Sequence, residues 1–228
     1  PAKFFDKSAT YFDDSKAPRR ASALLPDAQI ISILIDPADR AYSWYQHMKA
    51  HGNLAANKLT FEEVLNWSGN ETATITSTNR SDLTLDRSAR ALRQRCLHPG
   101  YFASHLVNWL KFYPTRQITI IDGEWFRYNP MAVLKKLQAI LHVQSPLDYS
   151  KLLIYDEQKG FYCYRVNSNQ GEGVKCLGSS KGRKYQTISE GAKSYLNRHY
   201  WQHNKQLANL LYEIGQPLPL WLDKIVNI

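Results

Sequence analysis

Long apolar runs are missing from this chain. No stretch of its 228 residues approaches 18 consecutive apolar positions, so no segment reads as a membrane-spanning helix. No secretory leader pattern is visible either. Pro1-Ala2-Lys3-Phe4-Phe5 reads as mid-domain sequence, and a fragment without its own N-terminus is expected. Cysteine is scarce, with three residues: Cys96, Cys163 and Cys176. There is no second close cysteine pair and the seven histidines are scattered, which argues against a zinc site. No metal is expected. Paired carboxylates, a Ser-His-Asp order, a G-x-S-x-G elbow and a complete G-x-x-x-x-G-K-[ST] phosphate loop are all lacking.

Acidic residues are also in short supply. Twenty Asp and Glu stand against 29 Lys and Arg, a formal charge of +9, and that excess calls for an anionic partner. Anionic lipid, a phosphate-rich cofactor, a sulfated polysaccharide and nucleic acid all fit the charge. Nothing resembles a nucleic-acid recognition motif, so no nucleic-acid partner is expected.

What is present points to an α/β fold. Residues 29–35 form a short isoleucine-rich run, as in a buried parallel strand, and Gln117–Asp122 form a second. Asp36 is placed to cap a helix with Pro37 at its first position, running to about Ala50. Thr60-Phe61-Glu62-Glu63 is a capping box. Helices are expected over Asp86–Leu97, Phe102–Phe112 and from Asn129-Pro130 to about Leu141. A long last helix is capped by Ser189 and stopped at Gly215. Phe161–Tyr164 and Val174–Leu177 suggest a hairpin, whose spacing suits a Cys163–Cys176 disulfide. Cys96 is left as a small buried hydrophobe. Trp109, Trp125, Trp201 and Trp221 are expected in the core. The mainly parallel sheet would be flanked by helices in one domain over residues 1–228.

Three sequons, at Asn66, Asn70 and Asn79, fall in one polar stretch and favour a secretory route with glycosylation there. On the first helix Arg40, Ser43 and His47 recur at helical spacing, and His51 continues the series. An arginine, a hydroxyl and an imidazole at a strand-to-helix junction suit a phosphate and a second substrate. His47 can also move a proton near neutral pH. A solvated helix face with Trp44 and Tyr45 turned inward is the alternative. Ser180-Lys181-Gly182-Arg183-Lys184-Tyr185 packs three cations around a glycine. Backbone can approach a ligand closely there, and lysine and arginine suit phosphate or sulfate oxygens. Taken alone, that segment is equally a solvated basic turn.

Together these blocks resemble the sulfotransferase domain of the heparan sulfate N-deacetylase/N-sulfotransferases. The resemblance rests on Lys7–Phe12, Ala17–Ala21, Asp36–His47, Lys159–Cys163, Lys175–Gly178, Ser180–Tyr185 and Gly215–Leu222, nearly the whole chain. It implies a P-loop-nucleotide-kinase-like fold, incomplete at its N-terminus. It implies transfer of a sulfuryl group from 3′-phosphoadenylyl sulfate (PAPS) to the glucosamine amine of heparan sulfate or heparin. By position, Ser43 would contact the nucleotide 3′-phosphate. Tyr162 would lie against the cofactor, where the family more often has Trp. Lys181, Gly182, Arg183, Lys184 and Tyr185 would cover it. Arg40, His47 and His51 would meet the sugar chain, and Cys163 and Cys176 match the family's disulfide. The family's phosphosulfate loop with its lysine, and its proposed glutamate base, precede the region covered, so this piece alone is expected to be inactive. The stretch bearing the sequons is longer than usual for the family. The resemblance places the full protein in the Golgi lumen behind a membrane anchor. A noncatalytic heparin-binding module and an O-sulfotransferase of the same fold remain as alternatives.

Overall fold

The computed structural model describes residues 4–68, 80–168, 171–178 and 185–226. The order is α1 (Ala17–Leu24), β1 (Ile30–Leu34), α2 (Pro37–Ala50), α3 (Leu54–Lys58), α4 (Phe61–Leu65), α5 (Arg80–Leu97) and α6 (Phe102–Leu110). Then follow β2 (Ile118–Asp122), α7 (Gly123–Tyr128), α8 (Pro130–Ile140), α9 (Tyr149–Leu152), β3 (Leu153–Asp156), β4 (Phe161–Ser168), β5 (Gly171–Lys175), α10 (Glu190–Glu213) and α11 (Leu220–Val226). Among the described residues, no helix is long and apolar enough to cross a membrane.

Local chemistry sets most boundaries. Asp36 accepts from the Ala38 N–H at 2.7 Å and Pro37 opens α2. Thr60 and Glu63 exchange both bonds of a capping box at α4. Ser189 accepts from Ala192 at the start of α10. Gly215, with φ of 67°, ends the turn after it in the left-handed region that favours glycine.

The α/β reading holds, with parallel pairing confined to two strands. β1 and β2 pair in parallel, Ile30 opposite Ile118 and Leu34 opposite Asp122. β3, β4 and β5 form a separate antiparallel sheet. The physical reason lies in the connections. Between Asp156 and Phe161 there is room only for a turn, with Gly160 at φ 73°, whereas a parallel pair needs a long crossover.

Two apolar clusters hold the chain. One joins Ala41 and Tyr45 of α2, Val64 and Leu65 of α4, Leu92 and Cys96 of α5, and Leu196 and Tyr200 of α10. The other joins Leu34, Ile118 and Ile120 of the parallel strands to Leu106, Leu211 and Trp221. Helix α10 serves both, because Ala192, Leu196, Tyr200, Asn204, Leu207 and Leu211 form one buried stripe at three- and four-residue steps. Tyr200 donates to the Leu97 carbonyl at 2.8 Å, and Gly100 is required beside it: a Cβ there would meet the Tyr200 ring. Trp109 and Trp221 are core residues as expected, but Trp125 and Trp201 are 44% and 38% exposed. Lys205 lies over the Trp201 ring at 4.7 Å, which satisfies that face without burial. Cys96 is buried, and desolvation pushes its thiol up to about 12, so it stays uncharged and unreactive at neutral pH.

A knot of imidazoles makes the fold sensitive to acid. His199 Nε2 lies 3.0 Å from the Tyr101 hydroxyl, and His203 stacks on Tyr101 with ring centroids 4.2 Å apart. The buried His203 Nδ1 has no hydrogen-bond partner among the described residues. Burial holds His105, His199 and His203 below the usual histidine range, and the Arg93 guanidinium adds to this for His199. These rings are neutral when folded and take up protons more readily unfolded. Their contribution is complete above the unfolded pKa of about 6.5 and is lost as pH falls below it, towards the folded values. The urea midpoint is therefore expected to drop between pH 7.5 and 5.5, and His203→Gln to shrink that drop. A midpoint equally pH-dependent in the variant would remove His203 from this account.

Candidate functional site

The parallel strands deliver α2 to the carboxyl edge of the small sheet, the side on which open α/β sheets bind ligands. At this edge Asp36 is largely buried, and desolvation raises its carboxyl above the ordinary aspartate range. A pocket of about 220 Å³ opens beside it, between Asp36, Pro37 and Ala38 and the Tyr200, Trp201 and Asn204 side of α10. Ser43, Tyr162 and Tyr185 do not line that pocket. It shares the edge with the predicted residues without containing them.

Successive helical residues turn by about 100°, so Arg40, Ser43, Trp44 and His47 share one side of α2 while Tyr42 lies on the opposite side. Arg40 faces α5. Its Nη2 donates to the Arg95 and Cys96 carbonyls, both at 2.8 Å, which closes the C-terminal end of α5 with a cation. Burial lowers its pKa, and its buried Nε has no partner among the described residues. The guanidinium expected to meet the sugar chain thus has its Nη2 engaged by two backbone carbonyls. Trp44 lies on the same flank, with Arg95 over its ring at 5.2 Å and His47 at 5.3 Å. His47 and His51 stack at 4.1 Å, and His51 Nδ1 is 2.7 Å from the His47 carbonyl. The two imidazoles are thus brought together, His51 exposed and His47 partly covered.

Ser43 lies at the margin of the Arg40 side, and Tyr42 lies on the far side of α2. Ser43 is exposed, and its hydroxyl has no hydrogen-bond partner among the described residues, so it is available to an anionic oxygen. Tyr42 is a residue the motif reading passed over. Its hydroxyl donates to the Gln186 carbonyl at 2.9 Å, across 144 residues of sequence. Its ring meets Tyr185 edge-on at 5.7 Å, and also packs on Phe61. The end of the basic segment is therefore fastened to α2 at Tyr42. The only available sequence signal was its place inside the Asp36–His47 block.

The other end of the basic segment is fixed by a crosslink. Cys163 and Cys176 are joined, with Cα atoms 4.4 Å apart, as the hairpin spacing foretold. Their sulfurs gather with Asp156 in one small group, but the disulfide leaves no thiolate there for a metal. Lys159 bridges Asp156 and Cys176, at 2.9 and 3.2 Å. Tyr162 stands on β4, its ring 5.1 Å from Tyr155. Lys181, Gly182, Arg183 and Lys184 lie outside the described residues, as do Asn70 and Asn79. Asn66 is exposed at the end of α4, where its amide donates to the Glu62 carbonyl at 3.0 Å.

Comparison with known proteins agrees with this arrangement. A family model described as "Sulfotransferase domain" matches residues 13–208. The chain is 46% identical over 223 residues to the bifunctional heparan sulfate N-deacetylase/N-sulfotransferase of Drosophila melanogaster, covering 97% of this chain and 20% of that protein. It is 45% identical to bifunctional heparan sulfate N-deacetylase/N-sulfotransferase 1 of Homo sapiens, covering 96% of this chain and 23% of the relative. The chain thus spans about a fifth of the length of the curated relatives it matches. A sulfotransferase structure from Alicyclobacillus acidocaldarius superposes with a TM-score of 0.55 at 19% identity, over 92% of this chain and 64% of the other, and shares the fold. The match to the family model over most of its length establishes that this chain belongs to the sulfotransferase family.

Proposed function

We propose that the polypeptide carrying this chain transfers a sulfuryl group from PAPS to the amine of glucosamine in heparan sulfate. The observation that supports the reading is the docking of Tyr185 and Gln186 onto Tyr42, the residue before Ser43, whose hydroxyl has no partner among the described residues. The names of the relatives supply the acceptor.

The residues present fit such a donor. Ser43 can donate to the 3′-phosphate, Tyr162 offers a ring to the nucleotide, and Lys181, Arg183 and Lys184 can neutralise phosphate and sulfonate oxygens while Gly182 allows close approach. PAPS supplies an activated sulfuryl group whose charge spreads over its oxygens during transfer, and fixed cations stabilise that charge. His47 and His51 face the acceptor, where an imidazole can take a proton as the amine forms its bond to sulfur. The excess of positive charge draws in a polyanionic chain, more weakly as salt rises.

The test uses the full polypeptide. Calorimetric titration with 3′-phosphoadenosine 5′-phosphate should show saturable binding. Incubation with PAPS and N-desulfated heparin should place the new sulfate on nitrogen. Transfer to hydroxyl oxygen alone would make it an O-sulfotransferase. Salt-sensitive heparin binding with no nucleotide binding would make it a noncatalytic module. We extend the proposal to a luminal Golgi setting with glycans on Asn66, Asn70 and Asn79, which glycosidase shifts of the secreted polypeptide would reveal.

A further inference from the structure

The antiparallel sheet has one face of which the proposed reaction uses only Tyr162. Residues opposite one another on paired strands share a face, and faces alternate along each strand. Tyr155 is opposite Tyr162, while Leu153, Tyr164 and Lys175 form the next row. Tyr155, Tyr162, Tyr164 and Lys175 therefore stand together. The other face carries Cys163, which is 2% exposed and crosslinked to Cys176. On the disulfide side Cys163 is packed against the protein, while the tyrosine side opens to solvent at Tyr155 and Tyr164. Tyr155 is 51% and Tyr164 43% exposed, so neither ring is a core residue.

We infer that this face is a stacking platform for an acidic sugar chain, holding heparan sulfate away from the reacting sugar. The inference rests on the acceptor proposed above and adds a second place at which that acceptor is gripped. The single base of the nucleotide occupies Tyr162, which leaves the exposed rings of Tyr155 and Tyr164, in adjacent rows, for a second and repeating ligand. The negative face of a tyrosine ring accepts the polarised C–H groups of a pyranose, and the rigid ring loses little conformational freedom in doing so. Lys175 adds a cation for a sulfate or carboxylate. Among the described residues no carboxylate lies on this face: Asp156 is on the opposite one and is paired with Lys159. The surface is thus aromatic and positive, complementary to a chain of apolar ring faces and anionic substituents.

The experiment compares Tyr155→Ala and Tyr164→Ala with the unaltered full polypeptide. Each should weaken binding of a heparin octasaccharide roughly three- to tenfold, the range for loss of one aromatic contact. Affinity for 3′-phosphoadenosine 5′-phosphate should not change. The KM for long N-desulfated heparin should rise with kcat unaltered, and Tyr164→Phe should restore binding because it keeps the ring. Unchanged heparin affinity in both alanine variants, with native circular dichroism, would overturn the platform. A parallel loss of nucleotide affinity would hand the face to the cofactor, and loss of self-association would hand it to a second copy; either overturns the inference. The two readings fail separately. Absence of transfer by the unaltered protein defeats the proposed reaction, while heparin titration still reports on Tyr155 and Tyr164.

Discussion

Replacing Lys181 and Arg183 together by alanine is expected to weaken 3′-phosphoadenosine 5′-phosphate binding at least ~100-fold. Hydrogen bonds from charged donors contribute about 1.5–3 kcal/mol each, so losing two removes about 3–6 kcal/mol. The flanks of the segment justify the expectation. Cys176 is crosslinked to Cys163, and Tyr185 is held on Tyr42. A segment tied at both ends has less freedom to lose on closing over an anion, so more of the contact energy appears as affinity. Arg183→Lys should fall between the two, because it keeps the charge and loses the planar fork. The double variant should also show a shallower dependence of affinity on salt. Isothermal titration of the full polypeptide measures all three, and unchanged affinity in the double variant would take the segment out of the site.

Arg40→Ala is expected to lower folding stability by about 3 kcal/mol, because each buried polar group left without a partner costs about 1–3 kcal/mol. The Arg95 carbonyl loses its Arg40 donor, and the Cys96 carbonyl is left with only the longer bond from the Tyr200 hydroxyl at 3.4 Å. That is a large share of a typical domain's stability of about 5–15 kcal/mol. Arg40→Lys should recover only part of it, since one ammonium cannot reproduce the fork. Denaturant midpoints report the loss. The steady-state KM for acceptor separates this structural role from a sugar-binding one. A KM unchanged in the folded variant supports the structural role, and a raised KM with full stability would contradict it.

Sequence legibility follows the range of the interactions. The starts of α2, α4 and α10 could be read because Asp36, Thr60 and Ser189 cap N–H groups two or three residues away. The end of α10 could be read because Gly215 serves the turn that follows it. The crosslink was legible because a hairpin brings Cys163 and Cys176 opposite one another, one residue beyond the Tyr164–Lys175 pair. The start of α5 at Arg80 was not, since the apolar pattern becomes regular only near Asp86. β3 was missed as well. Its four residues are too few to show alternation, and only pairing with β4 makes them a strand.

The candidate site divides in the same way. Its residue types and spacing on α2 came from the sequence, but equal spacing did not mean equal roles. Arg40 reaches carbonyls 55 and 56 residues later, while Ser43 keeps an unpartnered hydroxyl among the described residues. The sequence by itself determined the caps, the covalent tie, the excess of positive charge and the blocks that mark a sulfotransferase, because these depend on neighbouring residues or on composition. Only the tertiary structure decided that Arg40 closes a helix, that Tyr42 anchors Tyr185, that Trp125 and Trp201 stay exposed, and that three tyrosines line one open sheet face. Each of those outcomes depends on which distant surfaces meet, a matter settled by packing the whole chain and not by any local run of residues.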